Sequence, residues 1–439
     1  MIINPIFMCD SALAFKANYS EDKDRVRITF RVRSKQPAMM IGIAKLVRDI
    51  AGTITPEMIT EMDQLFGDKA LAIIDKWKAL VQTNDGSLPL RITAIDECSV
   101  VHDGDTVLTI ESTEDGYAWL PSYISAIVSP YLEAALNYGS AVLRTRMALR
   151  VFGDTSNAKD VEMTKAFMGS NLYSPNLESA GARGALFRVA FPLEPSPIGT
   201  KYIAENYGGA PQIFPVIQVH ASERLSSTMS AHLNKMLGVA SDRLLVYSFE
   251  EKDCDELLKL ISGELKDRIS HRSYPILFDY VGDDIDRLLN ILDTLEKTHT
   301  VTTNSLGYKV LPRNIYVGMR HPSIQQLESD ISKLTDLKWS IESLVFWFND
   351  EALISDDIKV AANTQIDPTT ESKLSVYFEN GTFSDNSTYQ QMSERFERYM
   401  SAYHLQSKDD TYGTYPDSNM TSWVYKLVSS THWGELDDK

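Results

Sequence analysis

The feature that most constrains the fold of this chain is a regular alternation of short apolar segments with longer amphipathic ones, beginning near Pro211. The short segments are rich in branched and aromatic residues, which predicts β-strands over residues 212–219, 244–249, 274–278, 315–317 and 344–348. The segments between them have helical periodicity, which predicts α-helices over residues 253–270, 284–297 and 323–334. Such alternation is typical of a parallel sheet with crossover helices, and this number of units is compatible with an α/β barrel.

The residues on either side of this region predict strands and helices without that regularity. Strands are predicted over residues 25–32, with one solvent-exposed face, and over 88–95 and 107–110. Helices are predicted over residues 55–81 and 121–149, so the first part of the chain is α+β in character. Beyond residue 357 the sequence predicts a hairpin over 373–383, around Asn380-Gly381, and a helix over 389–403.

Length and composition limit the classes of protein to which the chain can belong. With 439 residues it is too long for one ordinary hydrophobic core, which favours two domains, or one barrel with an appended sheet. Its net charge of −17 would repel phosphate groups, so we expect no nucleic-acid partner. No apolar run is long enough to span a bilayer, so we expect no membrane association.

The beginning of the sequence bears on where the protein works. Residues 1–15 lack the basic and apolar regions of a signal peptide. We therefore expect a cytoplasmic location, in a cell or in an infected host, or a place in a virion.

The cysteines and the common catalytic motifs exclude several kinds of site. Cys9, Cys98 and Cys254 are far apart and form no CxxC pair, so we interpret them as reduced core residues. The sequence also has no Walker loop, dinucleotide-binding fingerprint or GxSxG elbow. We expect no metal site and no bound cofactor.

Several short blocks occur in the same order as in one enzyme family. They are CDS at residues 9–11, GSLPLRITAIDE at 86–97, TVLTIESTEDGYAWL at 106–120, ESAG at 178–181, VTTNSLGYKVLP at 301–312 and WSIE at 339–342. In these blocks the chain resembles the nicotinamide phosphoribosyltransferase family, over most of residues 7–353.

The resemblance implies the α/β fold of the type II phosphoribosyltransferases. In that fold an irregular α/β barrel, here residues 119–358, packs on an α+β domain formed by both chain ends, here residues 1–118 and 359–439. Enzymes of the family are two-fold dimers with the active site at the subunit interface, so the resemblance also implies a homodimer.

The resemblance fails at the positions where that family binds its substrates. The family's ring-stacking tyrosine corresponds to Ala12, its Asp-Phe-Gly-x-Arg run to residues 168–172, and its Arg-Pro-Asp-Ser-Gly segment to residues 278–282. Its phosphate-binding Gly-Ser-Gly-Gly-Gly segment corresponds to WFNDE at residues 347–351. These differences predict a degenerate pocket, formed by Ala12, Gly169, Leu172, Phe278, Tyr280, Trp347, Phe348, Asp350 and Glu351.

The change at residues 347–351 has the largest expected effect on phosphate binding. Glycines let backbone N–H groups approach a phosphate, whereas Trp347 and Phe348 would fill that space. Asp350 and Glu351 would place negative charge beside a dianion, and two like charges about 4 Å apart cost roughly 4 kcal/mol at an effective dielectric constant of about 20. That cost would weaken phosphate binding by about three orders of magnitude. The alternative for aromatic residues 346–348 is an apolar patch for a partner protein.

A few residues with catalytic potential are retained. If the chain is an active enzyme, the resemblance implies roles for Asp10, Glu178 and His220, with Glu342 as a further candidate. His220 lies one residue later than a family histidine that can be phosphorylated, and Val219 replaces the glutamate before it. A histidine without a catalytic role is the alternative.

Two groups of charged residues have both a functional and a structural interpretation. Arg183 and Arg188 could bind an anion at the start of a helix, or could form ion pairs at the surface. Four aspartates could bind Mg²⁺ or act as a base, or could cap a helix and favour its dipole. They are Asp279, Asp283, Asp284 and Asp286.

The chain resembles the family in its fold but lacks the residues with which the family binds its substrates. This favours a catalytically inactive nicotinamide phosphoribosyltransferase-like protein, reused as a structural or protein-interaction component. Phages carry relatives of the family, so a phage-encoded component of a viral particle fits this interpretation. Its partners would be other proteins or further copies of the chain, as in a homo-oligomer. The alternative is an active phosphoribosyltransferase-type enzyme of NAD and pyridine nucleotide metabolism with altered substrates.

Overall fold

The chain divides into two compact units. Unit 1 comprises Met1–Ser140 with Ser355–Lys439, and unit 2 comprises Ala141–Ile354. The computed structural model describes residues 25–67, 71–156, 166–168, 177–191, 197–209, 216–348, 357–366, 368, 372–384 and 387–409. For residues 71–72, 166–168, 177–180, 348 and 403–409 the structure describes the backbone but not the side chains. The domain boundaries at residues 118 and 358 stay a prediction.

The described residues form the following elements. The strands are β1 (Val26–Arg33), β2 (Ala38–Met39), β3 (Leu90–Ala94), β4 (Val100–Val101), β5 (Thr106–Ser112), β6 (Ala166–Met168), β7 (Val216–His220), β8 (Leu244–Phe249), β9 (Ile276–Tyr280), β10 (Thr302–Thr303), β11 (Lys309–Val310), β12 (Ile315–His321), β13 (Leu344–Phe348), β14 (Lys359–Ile366), β15 (Ser375–Glu379) and β16 (Thr382–Phe383). The helices are α1 (Ile43–Ile50), α2 (Pro56–Phe66), α3 (Leu71–Asn84), α4 (Trp119–Gly153), α5 (Leu177–Ala190), α6 (Pro197–Tyr207), α7 (Met229–Val239), α8 (Glu251–Ser262), α9 (Lys266–Ser270), α10 (Ile285–Thr298), α11 (Ile324–Asp336) and α12 (Tyr389–Asp409).

Unit 1 is α+β and is built on a six-stranded antiparallel sheet. The strand order is β14-β1-β5-β3-β15-β16, so strands from both ends of the chain lie side by side, as predicted. The exposed face predicted for β1 is present only at the end of the strand, where Arg31 and Arg33 are exposed, because Arg27 and Thr29 on the same face are buried. β1 is an inner strand, and the Arg27 guanidinium pairs with the Glu111 carboxylate of β5 at 2.6 Å. An internal ion pair thus compensates a charge that the strand pattern places at the surface.

The helix predicted over residues 55–81 is two helices. α2 begins at Pro56 after Thr55, whose side chain accepts a hydrogen bond from the Met58 N–H. It ends at Gly67, which has a φ of +50° and so leaves the right-handed helical region. Glycine adopts this conformation without the penalty that a Cβ brings, so it separates α2 from α3 despite the continuous apolar pattern.

Unit 2 contains a six-stranded parallel sheet with the order β6-β13-β12-β9-β8-β7. Helices connect successive strands, with α7 before β8, α8 and α9 before β9, α10 before β12 and α11 before β13. This confirms the predicted alternation and the α/β class. The helix predicted over residues 253–270 is interrupted at Gly263, which separates α8 from α9.

The structure also bears on the cysteines and on membrane-spanning helices. Cys98 and Cys254 are buried free thiols, as predicted, and Cys9 lies outside the described residues. Over the described ranges, no helix combines the length and the apolarity that crossing a bilayer requires.

A candidate functional site at the carboxyl edge of the parallel sheet

The carboxyl ends of the parallel strands bring several polar side chains together. In the sheet register His220 of β7 lies beside Ser248 of β8, and Ser248 lies beside Asp279 of β9. Arg320 is the residue two positions beyond the β12 partner of Asp279. Loops and side chains at this edge carry the active sites of α/β barrel enzymes, so this row is the first candidate site.

Beneath this polar row, the same face of the sheet is apolar. Because side chains alternate across a strand, Leu277 lies below Asp279, and Val246 lies below Ser248. These side chains form one buried cluster, whose members are Leu244, Val246, Leu277, Val345 and Trp347, with Val216 and Tyr316 packed against it. We call this cluster the inner layer.

Trp347 occupies the upper part of the inner layer. Its side chain is only 3% exposed. A Cβ added at Gly318, on the neighbouring strand, would lie 3.2 Å from the indole Nε1 and 3.1 Å from Leu277 Cδ1. The indole therefore fits into space that a glycine leaves open, and in the sheet register Trp347 is level with Arg320 of the polar row.

Asp279 is the central polar residue of the row and is fully buried. Its Oδ2 accepts a hydrogen bond from Ser248 Oγ at 2.7 Å, while its Oδ1 has no hydrogen-bond partner within the described part of the chain. Burial raises the pKa of this carboxyl above its ordinary value, although Arg320, Ser248 and His220 act in the opposite direction. A buried acid with one unpartnered oxygen is a recognised mark of a functional site, and also of a structural ion pair.

Arg320 is the cationic partner of Asp279. Its Nη2 lies 3.5 Å from Asp279 Oδ2, which is a long ionic contact rather than a short hydrogen bond. The guanidinium carbon is 5.7 Å from the centre of the Trp347 ring, a distance at which cation–π attraction operates. Arg320 is thus held between a carboxylate and an aromatic ring of this same chain.

His220 acts locally as a cap. Its Nδ1 accepts a hydrogen bond from the Ser222 N–H at 3.1 Å and lies 2.7 Å from Ser222 Oγ. This bond starts the 3-10 turn Ala221–Arg224 that follows β7. Because Nδ1 is the acceptor, the neutral ring carries its proton on Nε2.

Phe278 and Tyr280 lie on the other face of the sheet. Phe278 is fully buried, and Tyr280 donates a hydrogen bond from its hydroxyl to Glu251 Oε2 on α8 at 3.1 Å. Burial and the neighbouring Glu251 raise the pKa of Tyr280 to about 12. The backbone of the sheet therefore separates these two predicted pocket residues from Trp347.

Other predicted site residues lie away from the polar row or outside the description. Glu342 precedes β13, at the amino end of the sheet, and accepts a hydrogen bond from Ser156 Oγ. The structure describes the backbone but not the side chains of Glu178 and Phe348. Six predicted positions lie outside the described residues: Asp10, Ala12, Gly169, Leu172, Asp350 and Glu351.

The four aspartates in and after β9 do not form one cluster. Asp279 is inside the sheet, whereas Asp284 accepts a hydrogen bond from the Asp286 N–H at 2.9 Å and caps α10. The capping interpretation is therefore confirmed for Asp284. Asp283 and Asp286 are exposed.

Arg188 contradicts the expectation of a surface ion pair. It lies in α5 and is almost fully buried. α6 packs very closely on α5, since a Cβ at Gly199 would lie 2.4 Å from the Gly184 carbonyl carbon. Because Gly184 and Gly199 have no side chains, α6 can cover the adjoining surface of α5.

Comparison with known proteins gives the fold a name. No family model matches the chain. The structure of this chain matches that of the Pyrococcus furiosus nicotinate-nucleotide pyrophosphorylase with a TM-score of 0.53 at 10% sequence identity. The match covers 91% of this chain and 95% of that one. It also matches the structure of human nicotinic acid phosphoribosyltransferase, with a TM-score of 0.51 at 9% sequence identity. This match covers 97% of this chain and 99% of that one. The chain has the type II phosphoribosyltransferase fold.

One short stretch of sequence points in the same direction. Over 52 residues the chain is 38% identical to a nicotinamide phosphoribosyltransferase of Xanthomonas campestris pv. campestris. The stretch is 12% of this chain and spans 11% of that relative's length. In this phosphoribosyltransferase fold, the polar row lies at the carboxyl edge of the parallel sheet, and the buried Trp347 lies beside Arg320 there.

Sequence reasoning found Trp347 and His220 but missed the pair formed by Asp279 and Arg320. The available signal was an acidic residue inside an otherwise apolar strand, ILFDY at residues 276–280, and a basic residue inside IYVGMRH at 315–321. A charge in a buried parallel strand requires a compensating partner, and a neighbouring strand is the nearest place to find one.

Proposed function

We propose that this chain is a catalytically inactive protein with the phosphoribosyltransferase fold, which works through contacts with other proteins or with further copies of itself, as in a viral particle. The observation that carries the proposal is the burial of Trp347 beside Arg320, at the carboxyl edge of the sheet. Binding of a phosphorylated sugar requires open space and unpaired hydrogen-bond donors. In the described part of this edge Trp347 fills space, and Arg320 Nη2 already lies beside a carboxylate, although the buried Nε of Arg320 has no hydrogen-bond partner there.

The electrostatics of the polar row support the same proposal. A phosphate that bound Arg320 would compete with Asp279 for the guanidinium. If it displaced Arg320, the carboxylate of Asp279 would stay buried without its counter-ion, at a cost of roughly 3–5 kcal/mol. A cost of that size weakens binding by about two to four orders of magnitude.

The proposal is tested by calorimetric titration with phosphoribosyl pyrophosphate and with nicotinamide mononucleotide, each with magnesium. We expect no saturable heat up to millimolar ligand. Micromolar binding of either compound would overturn the inactive assignment. An Arg320→Met variant would then show whether such binding uses the polar row. The substitution replaces the cation with an unbranched apolar side chain.

Self-association is the second part of the proposal, and one exposed side chain supports it. Leu225 is 91% exposed and has a φ of +52°, an unfavourable backbone conformation for a leucine. It follows the 3-10 turn at the end of β7. We expect sedimentation to show a dimer or larger species that Leu225→Ser weakens, while the matched variant Leu306→Ser, at a second exposed leucine, does not. A monomer at all concentrations would contradict this part.

The alternative function, an active enzyme with altered substrates, is favoured by one observation. The unpartnered Oδ1 of buried Asp279 lies at the edge where α/β barrel enzymes place catalytic groups. Turnover of nicotinamide, nicotinate or their nucleotides would support it if Asp279→Asn abolishes the activity and Asp283→Asn, at an exposed position, does not. Turnover that survives Asp279→Asn would place the chemistry elsewhere.

A further inference from the structure

Unit 1 contains a cavity of about 430 Å³, and all of its lining residues belong to this unit. It is lined by the turn between β3 and β4, by the start of β15 and by α12. Cavities of roughly 300–1,000 Å³ are the usual size for small organic ligands. The cavity is therefore large enough for a compact molecule with a ring or a short chain.

The charged groups of the cavity are mainly basic. Lys373, Arg395 and Arg398 line it together with one carboxylate, that of Asp96. The chain as a whole has a net charge of −17, so a local excess of positive charge is unusual on this molecule. Such an excess at a concave surface attracts anions and raises their local concentration.

The three basic residues are not equally committed to partners within the protein. Arg395 forms an ion pair with Asp96 at 3.3 Å and donates a hydrogen bond to the Glu97 carbonyl oxygen. Lys373 and Arg398 are exposed and form no ion pair or hydrogen bond within the described part of the chain. Two cations of the lining are thus available for a ligand, while Arg395 neutralises Asp96, the one carboxylate among the described lining residues.

The wall of the cavity is held in place from behind. Glu97 is fully buried, and its carboxylate accepts hydrogen bonds from the Gly42 N–H at 2.9 Å and the Ala44 N–H at 2.7 Å, at the start of α1. Ser375 Oγ donates to Asp96 Oδ1 at 3.2 Å. A turn fixed on both sides loses little conformational freedom when a ligand binds.

The cavity also has an apolar side. Leu374 and Tyr399 line it, and Tyr399 is four residues after Arg395 and one after Arg398 on α12. Residues at spacings of three and four share one helix face, so the cations and the aromatic ring face the same space. Together they match a ligand with an anionic end and an apolar body.

We propose that this cavity is a binding site for a small organic anion, in which a phosphate or carboxylate group contacts Lys373 and Arg398 and an apolar body packs against Leu374 and Tyr399. The site is independent of the polar row in unit 2. It requires no catalytic activity of the chain, and it would serve to recognise a metabolite.

The test uses the full chain and three probes that share a phenyl ring. They are phenyl phosphate, benzoate and neutral phenol, titrated at low salt by calorimetry. We expect saturable binding of at least one of the two anions, with a dissociation constant on the order of 0.1 mM, as is usual for ligands of this size. We expect no binding of phenol, and the stronger of the two anions identifies the preferred group.

A double variant, Lys373→Gln with Arg398→Gln, should weaken that binding at least about tenfold, because two charge-assisted contacts are lost. The matched control is Lys35→Gln with Lys359→Gln, which removes two exposed charges of unit 1 outside the cavity. Unfolding curves that coincide with those of the unchanged protein would show that both variants are folded. Absence of saturable anion binding at 10 mM probe, or equal loss in both variants, would overturn the proposal.

Discussion

Arg320 Nη2 and Asp279 Oδ2 lie 3.5 Å apart, although 41 residues separate the two in the chain. This contact joins two neighbouring strands of the parallel sheet at their carboxyl edge. Asp279 is fully buried, and Arg320 also covers the Trp347 ring. The pair therefore links the charge of the candidate site to the packing around Trp347. Four measurable predictions concern this site.

The first concerns the dependence of stability on pH. Burial raises the pKa of Asp279 in the folded state above its ordinary value of 3.8, so the folded state binds more protons there than the unfolded state does. The free energy of unfolding then contains a contribution that is present below about pH 4 and is lost as the pH rises through the folded-state value. We expect the protein to lose stability over this range relative to an Asp279→Asn variant, in urea unfolding at several pH values.

The control for this experiment is Asp283→Asn, at an exposed position on the same connection. This variant removes a carboxylate at the surface and so measures the effect of the substitution itself. A pH dependence for Asp279→Asn no larger than that for Asp283→Asn would mean that Asp279 is not the buried acid that the structure shows.

The second prediction concerns Arg320→Met. This change leaves the Asp279 carboxylate without its counter-ion and should lower the free energy of unfolding by about 3 kcal/mol, the low end for a broken buried pair because the guanidinium is partly exposed. The double variant Arg320→Met with Asp279→Asn should be less destabilised than the sum of the two single variants. Simple additivity in this double-mutant cycle would show that the residues do not interact.

The third prediction concerns the inner layer. Trp347→Ala should lower the free energy of unfolding by about 3–5 kcal/mol, because it removes a large buried ring and leaves a cavity among Leu277, Val345 and their neighbours. Trp347→Phe should cost less, since it keeps part of the ring volume. A loss below about 1 kcal/mol for Trp347→Ala would contradict the packing described for this layer.

The fourth prediction separates a capping role of His220 from a catalytic one. His220→Ala removes the acceptor for the Ser222 N–H and should cost about 1 kcal/mol of stability, whereas His220→Asn keeps an acceptor and should cost little. Equal losses in the two variants, measured by thermal unfolding, would argue against the cap. If turnover were found, its loss in His220→Asn without loss of stability would indicate a chemical role instead.

Many elements of the fold are predictable because their signals are local. Strand Leu244–Phe249 and strand Leu344–Phe348 have the predicted bounds. The predicted hairpin turn at Asn380-Gly381 is present, and both residues have positive φ, which suits the right-handed twist of the two strands. Ser323 precedes α11 as an N-cap, with its side chain accepting from the Gln326 N–H. Each of these depends on residues within a few positions of one another.

Other elements depend on distant partners and were not predictable in the same way. No strand is predicted for KVAANTQI, yet residues 359–366 form β14 and pair along their whole length with β1. The segment is mixed in polarity and mostly exposed, so its own pattern carries little strand signal. The backbone hydrogen bonds to β1, more than 300 residues earlier in the chain, make it a strand.

The candidate site shows the same division. Its frame, the alternating strands and helices that end at a common edge, follows from hydrophobic periodicity within short windows of the chain. Which side chains meet at that edge follows from sheet register, because a shift of one residue exchanges the two faces of every strand. The register puts Asp279, Arg320 and Trp347 on one face, and Phe278 and Tyr280 on the other. Periodicity is a property of neighbouring residues, whereas register and burial arise only when strands from different parts of the chain pack together.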